Sequence, residues 1–388
     1  MKTYLLITAF AGVVAAAHAQ GFNSGSNGSL GPLNLVDSNL VVDLPPDGRL
    51  HYTTLNIGPG RTLSFRRNAL NTPVYLLAQG DITIDGTIDV SGAPAPGSPP
   101  IGGVGGPGGF DGGKPGFGDE IPPGDGYGPG AGGAGTTGSA AESAGGAGYG
   151  VAGGGASSSF KGAAYGSPLL IPLIGGSGGG GDTGQPGSGG GGGAGAILLC
   201  SSTRIAIAQS GSVVAQGGPW RGSSHNAGSG GGIRVLAPKV EGRGTLNVNG
   251  GSSGGGVGRI RVDTLDKTTL QLSFSPLSST TVGANMFVNP GVVPRLDILE
   301  AAGQAIAPGA GSTVRVQLPF GSDTNRTVRI QARDFGTDVP IRLTLTPDSG
   351  RRIEINATIA NTTTNPAEIT VPVGLPANTL VTIHAWTR

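Results

Sequence analysis

Seven consecutive Gly-x-y triplets run from Gly175 to Gly195, with glycine at 175, 178, 181, 184, 187, 190 and 193 and no slip. A glycine at every third residue suits a left-handed polyproline-II-type helix, which repeats every three residues. Glycine along one edge also lets a neighbouring backbone approach where any Cβ would collide. The triplets close a stretch, Gly92 to Gly195, that holds 43 of the chain's 78 glycines. A collagen trimer is disfavoured, because only seven triplets line up and proline occurs once among them. So glycine-dense a segment has few side chains for chemistry, and its sequence speaks of construction more than of activity.

On either side of this stretch runs a degenerate repeat. Its clearest copy is Val74 to Gly92, with apolar clusters at Val74–Ala78, Ile82/Ile84 and Ile88/Val90. Ile197–Cys200 with Ile205/Ile207 and Val213 resembles it, as do Ile233–Ala237 with Val240 and Leu246/Val248; Arg259–Asp263 begins a fourth copy. Units of this size, each unable to bury its own face, point to a stacked architecture. The Asp85-Gly86 pair admits two readings, a two-residue hairpin turn or a corner between strands of different sheets. A hairpin would pair Ile84 with Thr87 and Ile82 with Asp89, mixing apolar and polar residues on each face. A corner lets Ile82, Ile84, Ile88 and Val90 all point inward, and is favoured. Upstream, Leu40–Leu44 and Leu50–Phe65 carry further strand pattern, split by turn residues, as a cap or first rungs of the same body.

The Gly92–Gly195 insertion has two outcomes, disorder or ordered packing on the solenoid. Its composition alone favours disorder. The local glycine period, the aromatic residues Phe110, Phe117, Tyr127, Tyr149, Phe160 and Tyr165 and the run Leu169–Ile174 favour packing. Beyond Val288 the glycine bias disappears. Short alternating runs at Arg295–Leu299, Thr313–Leu318, Thr327–Ala332, Ile341–Leu345, Arg352–Ile355, Glu368–Val373 and Leu380–Trp386 suit an antiparallel, immunoglobulin-like sandwich without the Cys–Trp–Cys hallmark. The expected fold is therefore all-β. It comprises a short right-handed parallel β-helix or solenoid over 20–275 with a polyglycine-II-like or disordered insertion at 92–195, a linker at 276–287 and a sandwich at 288–388.

Residues 1–19 read as a secretory signal: Lys2, the apolar run Tyr4–Ala17, and the small-x-small Ala17-His18-Ala19. The mature chain is expected to begin near Gln20 and to be secreted, extracellular or on the cell surface, with no transmembrane segment after cleavage. The formal charge is +1, and removing Lys2 leaves zero. A neutral, aromatic-poor chain carries no electrostatic footprint for nucleic acid or anionic lipid. Cys200 is the only cysteine, which excludes an intramolecular disulfide or a cysteine metal cage; ending an apolar run, it reads as an inert buried thiol.

The phrases Leu76-Leu-Ala-Gln-Gly-Asp-Ile-Thr-Ile-Asp-Gly-Thr-Ile and Gly230-Gly-Gly-Ile-Arg-Val-Leu-Ala-Pro resemble the rungs of secreted Gly-rich β-helix proteins of bacteria, adhesin-type surface proteins among them. The glycine triplets resemble the polyglycine-II bundles of glycine-rich antifreeze proteins and phage tail-tip adhesins. Such phrases specify a fold better than an activity. What the resemblance implies is a surface or extracellular structural and binding role.

Candidate chemistry is sparse. Asp111, Asp119, Glu120 and Asp125 form the densest acidic group, and hard oxygen ligands of this kind could hold Ca²⁺, the one cofactor the sequence suggests. Solvated loop charge is the plainer reading. Trp220, Arg221 and His225 place an aromatic beside polar donors, a pattern suited to sugar contact, with a packed loop tryptophan as its equal. His51 and His384 read as structural or solvent-facing. No nucleophile elbow, paired-histidine zinc motif or phosphate loop occurs, and no catalytic residue is assigned. The expected function is a non-catalytic, adhesin-like binding protein whose partners are polysaccharides or cell-envelope components. The alternative is a β-helix polysaccharide lyase or hydrolase, favoured if Asp111, Asp119, Glu120 or Asp125 converges with Arg66 or Arg67 in one groove. Ice or mineral binding would need an aligned threonine row, for which Thr83, Thr87 and Thr245 are the candidates.

Overall fold

The computed structural model describes residues 21–388 except 98–99, 138–142, 156–159, 185–186, 221–224, 253, 289–293, 310 and 312; the segment read as a signal lies outside the described residues. Among the described residues the chain is all-β, with a 3-10 turn at Leu277–Ser279 and no α-helix.

The first seventeen strands build three parallel sheets. One holds β1 (Leu33–Leu35), β4 (Leu55–Ile57), β7 (Ile82–Ile84), β10 (Arg204–Ile207) and β13 (Lys239–Gly242). The second holds β2 (Leu40–Asp43), β5 (Thr62–Arg66), β8 (Thr87–Asp89), β11 (Ser212–Val214), β14 (Thr245–Asn247) and β16 (Ser273–Ser275). The third holds β3 (Arg49–Tyr52), β6 (Val74–Ala78), β9 (Ala196–Ser201), β12 (Gly232–Leu236), β15 (Arg259–Asp263) and β17 (Thr280–Gly283). From β1 to β15 each strand pairs with the strand three places along, so the chain visits the three sheets in turn and every circuit adds one rung; the last circuit adds β16 and β17 to the second and third sheets only. This is consistent with the stacked repeat expected from the sequence.

The repeat's apolar clusters stack in register: Ile82 on Ile205 on Val240, Ile88 on Val213 on Leu246, and Ile197 on Ile233 on Ile260. All are buried in one continuous core. Asp85-Gly86 is a corner, since β7 and β8 lie in different sheets. Ile82, Ile84, Ile88 and Val90 are buried, whereas Thr83, Thr87 and Asp89 are partly exposed. A Cβ at Gly86 would overlap the carbonyl oxygens of Arg61 and Gly58, so the corner requires glycine.

The described residues of the glycine-rich stretch are packed. Its runs are joined by backbone hydrogen bonds with a stride of three: Phe110, Gly113 and Gly116 donate to Gly176, Gly179 and Asp182, which in turn donate to Ala194, Gly191 and Ser188. The first set runs parallel and the second antiparallel. A Cβ at Gly178 would overlap the carbonyl oxygen of Asp111, and one at Gly190 that of Gly179. Glycine is thus required by backbone proximity, as the triplets imply. The bundle draws on more of the chain than the insertion alone. The same corner of the next two circuits, around Gly217–Gly230 and Asn249–Gly258, is also glycine-rich and joins it, through Gly218 N to Gly192 O at 2.7 Å and Gly251 N to Gly228 O at 2.9 Å. Gly195, Gly231 and Gly258 donate to Val90, Ala215 and Val248, tying the bundle to three successive rungs.

The segment expected as a linker, 276–287, contains β17, which pairs in parallel with β15 through Ile260–Thr280 and Val262–Val282. Four residues without strong alternation leave no period to detect. Beyond it stand two antiparallel four-stranded sheets around a second core. One orders β19 (Gln304–Ala305), β18 (Arg295–Ala301), β21 (Asn325–Arg333) and β24 (Ala367–Gly374). The other orders β20 (Val314–Gln317), β25 (Leu380–Thr387), β22 (Val339–Pro347) and β23 (Ile353–Ile359). These strands fall on the seven alternating runs read from the sequence, with β19 added.

Candidate functional site: a cleft and a hydroxyl ladder

The C-terminal sheets dock on the glycine-rich bundle through the turn between β22 and β23. Ser349 Oγ donates to Pro122 O at 2.6 Å, Gly350 N to Pro123 O at 3.0 Å, and Arg351 Nη1 to Ala134 O at 3.0 Å. Arg352 donates through its backbone N to Asp125 Oδ2 at 3.0 Å and through Nη1 to Ala131 O at 3.0 Å. The Arg351 guanidinium also lies 4.4 Å from the Phe160 ring centroid. The arginine donors are thus met by main-chain carbonyl oxygens of the bundle.

Beside this dock opens a cleft of about 910 Å³. Its polar lining includes Arg67, Asp111, Lys114, Tyr127, Arg315 and Asp348. Arg67 grips Asp111 with two hydrogen bonds, at 2.7 and 3.2 Å, and Asp111 also accepts from Gly105 N. Lys114 pairs with Asp348, which also accepts from the Tyr127 hydroxyl at 3.2 Å. Burial, and then the Asp348 charge, hold the Tyr127 phenol well above its ordinary pKa, so it is a proton donor and no base at neutral pH. The cleft adjoins a smaller, more apolar cavity of about 330 Å³, with which it shares Phe110 and His384. There His384 stacks on Trp386 at 5.0 Å, and the Phe110 edge meets Trp386 at 5.4 Å. Burial, and then Arg315, push the His384 imidazole down to about 4, which leaves it neutral near pH 7. The Trp386 indole N–H is buried without a hydrogen-bond partner.

The sequence-derived site residues separate. Among the described residues no group of three or more His, Cys, Asp or Glu side chains is placed to hold a metal ion. Asp111 lies in the cleft on Arg67, whereas Asp125 is buried under Arg351 and Arg352. Asp119 and Glu120 are exposed. The four-acid Ca²⁺ arrangement is therefore not formed: two of its members serve as acceptors for arginines from elsewhere in the chain. Of the sugar-contact candidates, Trp220 is half-buried and His225 exposed, while Arg221 lies outside the described residues. No sequence motif marks Lys114, Tyr127, Asp348, His384 or Trp386 as members of a site. Lys114 and Asp348 are 234 residues apart in sequence, so no local spacing points to them.

A second surface lies on the outer face of the second sheet. Thr62, Thr87, Ser212, Thr245 and Ser273 are aligned on successive strands. Thr87 and Ser212 hydroxyls are 3.0 Å apart. The next outward column is Val41, Ser64, Asp89, Val214, Asn247 and Ser275. With strands about 4.8 Å apart, the five hydroxyls span about 19 Å. Thr87 and Thr245 thus belong to one row whose other members are a threonine and two serines, and Thr83 lies in a different sheet.

No family model and no curated protein matches the sequence. Among solved structures, a cell-surface-expressed multi-modular chitinase from Paenibacillus is similar at a TM-score of 0.16 and 10% identity, over 92% of this chain and 24% of that one. The chain spans about a quarter of that enzyme's length, and a likeness this slight carries no argument. No helix of the described residues is long and apolar enough to cross a membrane.

Proposed function

We propose that this chain is a secreted or cell-surface structural and binding protein, adhesin-like, that contacts glycans or envelope polymers through its outer faces. Its body is read as a right-handed β-solenoid, the hand that parallel crossovers almost always take, with a polyglycine-II bundle on one corner and an immunoglobulin-like sandwich docked on that bundle. The observation that carries the reading is the hydroxyl ladder from Thr62 to Ser273. A regular row of uncharged donors and acceptors suits a repeating polymer held by many weak contacts, whose affinities multiply along the chain. The test is a polysaccharide array probed with residues 20–388 and with a Thr87→Arg/Ser212→Arg variant, both positions being partly exposed. Binding by the parent that is lost in the variant supports the reading. Absence of binding by the parent, or binding that survives the double substitution, removes the ladder from it.

The enzyme reading retains one supporting observation, since Asp111 and Arg67 do share the cleft with Lys114, Tyr127 and Asp348. Each acid there is engaged by a base from another segment, which favours a docking role. Release of unsaturated or reducing sugar ends from an acidic polysaccharide, abolished by Asp348→Asn with the fold intact, would restore the lyase or hydrolase reading.

A further inference from the structure

Among the described residues, the rungs of this coil end without a lid. In the middle circuits the inward residues, such as Ile84, Val213 and Ile233, are fully buried. In the terminal rungs the inward positions Leu33, Leu40 and Val42 at one end, and Leu270 and Phe274 at the other, pack on the core but are only partly buried. Among the described residues, no further rung stacks on them. Exposed apolar side chains stand at both ends, Val282 among them as the inward position over Val262. Val36 and Val41 are 45% and 53% exposed at the first rung, and Leu277 and Val282 are 71% and 39% exposed at the last. β1, β2 and β3 each have a neighbour on one side only, as do β16 and β17. Edge strands in this state are templates for pairing with another chain.

We infer that the two ends of the coil fit one another, so that copies of this chain associate head to tail with their rungs in one continuous stack. The occupant follows from the repeat itself. The first rung offers β1, β2 and β3 and the last offers β16 and β17, all in parallel sheets, so the second and third sheets are open at both ends, with Leu40 and Val42 inward at one end and Phe274 and Val282 inward at the other. The contact between copies therefore continues the rung-to-rung contact already made inside each chain. Parallel pairing is kept only when a first rung meets a last rung; two first rungs would have to pair antiparallel. At the corner between the first two sheets, exposed Asp37 lies at one end, and exposed Arg243 lies near the other. A contact of this kind joins two different patches and does not close on itself, so it propagates. The addition of strands to an open sheet edge would supply its backbone hydrogen bonds. This association is independent of any glycan: it would lengthen a rod, and with it any row of side chains that the rod displays.

The experiment uses residues 20–388 and two surface variants, Val36→Lys/Val41→Lys at the first end and Leu277→Lys/Val282→Lys at the last. Charged edge residues block strand addition, and these side chains are exposed, so the fold is kept and is verified by circular dichroism. Sedimentation velocity over a hundredfold concentration range should find oligomers of the parent that grow with concentration, and monomers of each variant alone. An equal mixture of the two variants should yield dimers and nothing longer, because it offers one intact end of each kind per pair. A parent that stays monomeric throughout overturns the inference. So does association that persists in either variant, or a mixture that fails to form the dimer.

Discussion

At the scale of single residues, the chain divides its labour between glycines that admit backbone and side chains that fill the core. Gly178 shows the first kind, since any Cβ there would overlap the carbonyl oxygen of Asp111. Gly178→Ala is expected to destabilise by about 1–3 kcal/mol or more, the usual range for overpacking a filled interior. Gly374, where an added Cβ would meet nothing within 4 Å, makes the control: Gly374→Ala should stay within about 0.5 kcal/mol in urea unfolding. Equal losses at the two sites would mean that glycine is needed for chain entropy and not for proximity. His384 gives a pH dependence. Its folded value, near 4, is below the ordinary 6.5 because burial and Arg315 disfavour the cation. The unfolded chain therefore binds the proton first, and stability is full above about pH 6.5 and is lost as the pH falls from there toward 4. The loss is bounded at about 3 kcal/mol and should be smaller for a ring that is only half-buried. His384→Gln should flatten that part of the stability–pH curve, and an unchanged slope would assign it to other groups. Cys200 is the counterpart among thiols. Burial pushes it up to about 12, so it should resist alkylation at pH 8 until the coil unfolds.

At the scale of elements, stability is carried by columns of side chains that repeat once per circuit. Ile205 in β10 is fully buried between Ile82 and Val240, whereas Leu40 in β2 has a stacking neighbour on one side only. Ile205→Ala should cost about 2–5 kcal/mol by thermal or urea unfolding, and Leu40→Ala less than half as much. A larger loss at Leu40 would mean that the end rung is covered in solution. The same columns explain what can be read from the sequence. Ile82, Ile84, Ile88 and Val90 announce a corner because facing is a local property of alternation, and the runs from Arg295 to Trp386 announce strands for the same reason. β17 escapes because Thr280–Gly283 is short and weakly alternating. Its place is set by pairing with β15. Gly217–Gly230 and Asn249–Gly258 do not group with the insertion in sequence, since only the stacking of corners brings them to it. The cleft is the least legible element. Arg67 and Asp111 each stand out as candidates, yet Tyr127 and Asp348 meet across 221 residues of sequence, and no spacing encodes that contact.

At the scale of the whole molecule, the question is whether the docked C-terminal sheets share the fate of the coil. Coil and bundle are tied together in three successive circuits through Gly195, Gly231 and Gly258, so they should unfold as one body. The C-terminal sheets have their own core and reach the bundle through polar contacts around Asp125 and Asp348 and through the Phe110 ring against Trp386. That carboxylate is 1% exposed and accepts from Ala134 N at 2.6 Å and Arg352 N at 3.0 Å. Asp125→Ala leaves both N–H groups without this acceptor, a loss of about 1–3 kcal/mol each if they stay dry. The chain's two tryptophans allow the bodies to be followed separately, for Trp220 follows β11 in the coil and Trp386 lies in β25. In a Trp220→Phe background, fluorescence reports the C-terminal sheets, and Trp386 is also placed to sense the dock through Phe110. In a Trp386→Phe background it reports the coil. With Asp125 present, the two midpoints in guanidinium should lie close together, because the interface couples the bodies. With Asp125→Ala, the Trp386 midpoint should fall while the Trp220 midpoint moves little. If both fall together, Asp125 supports the bundle itself and the C-terminal sheets are no separable unit. If neither moves, the arginine contacts to bundle carbonyls hold the dock without it.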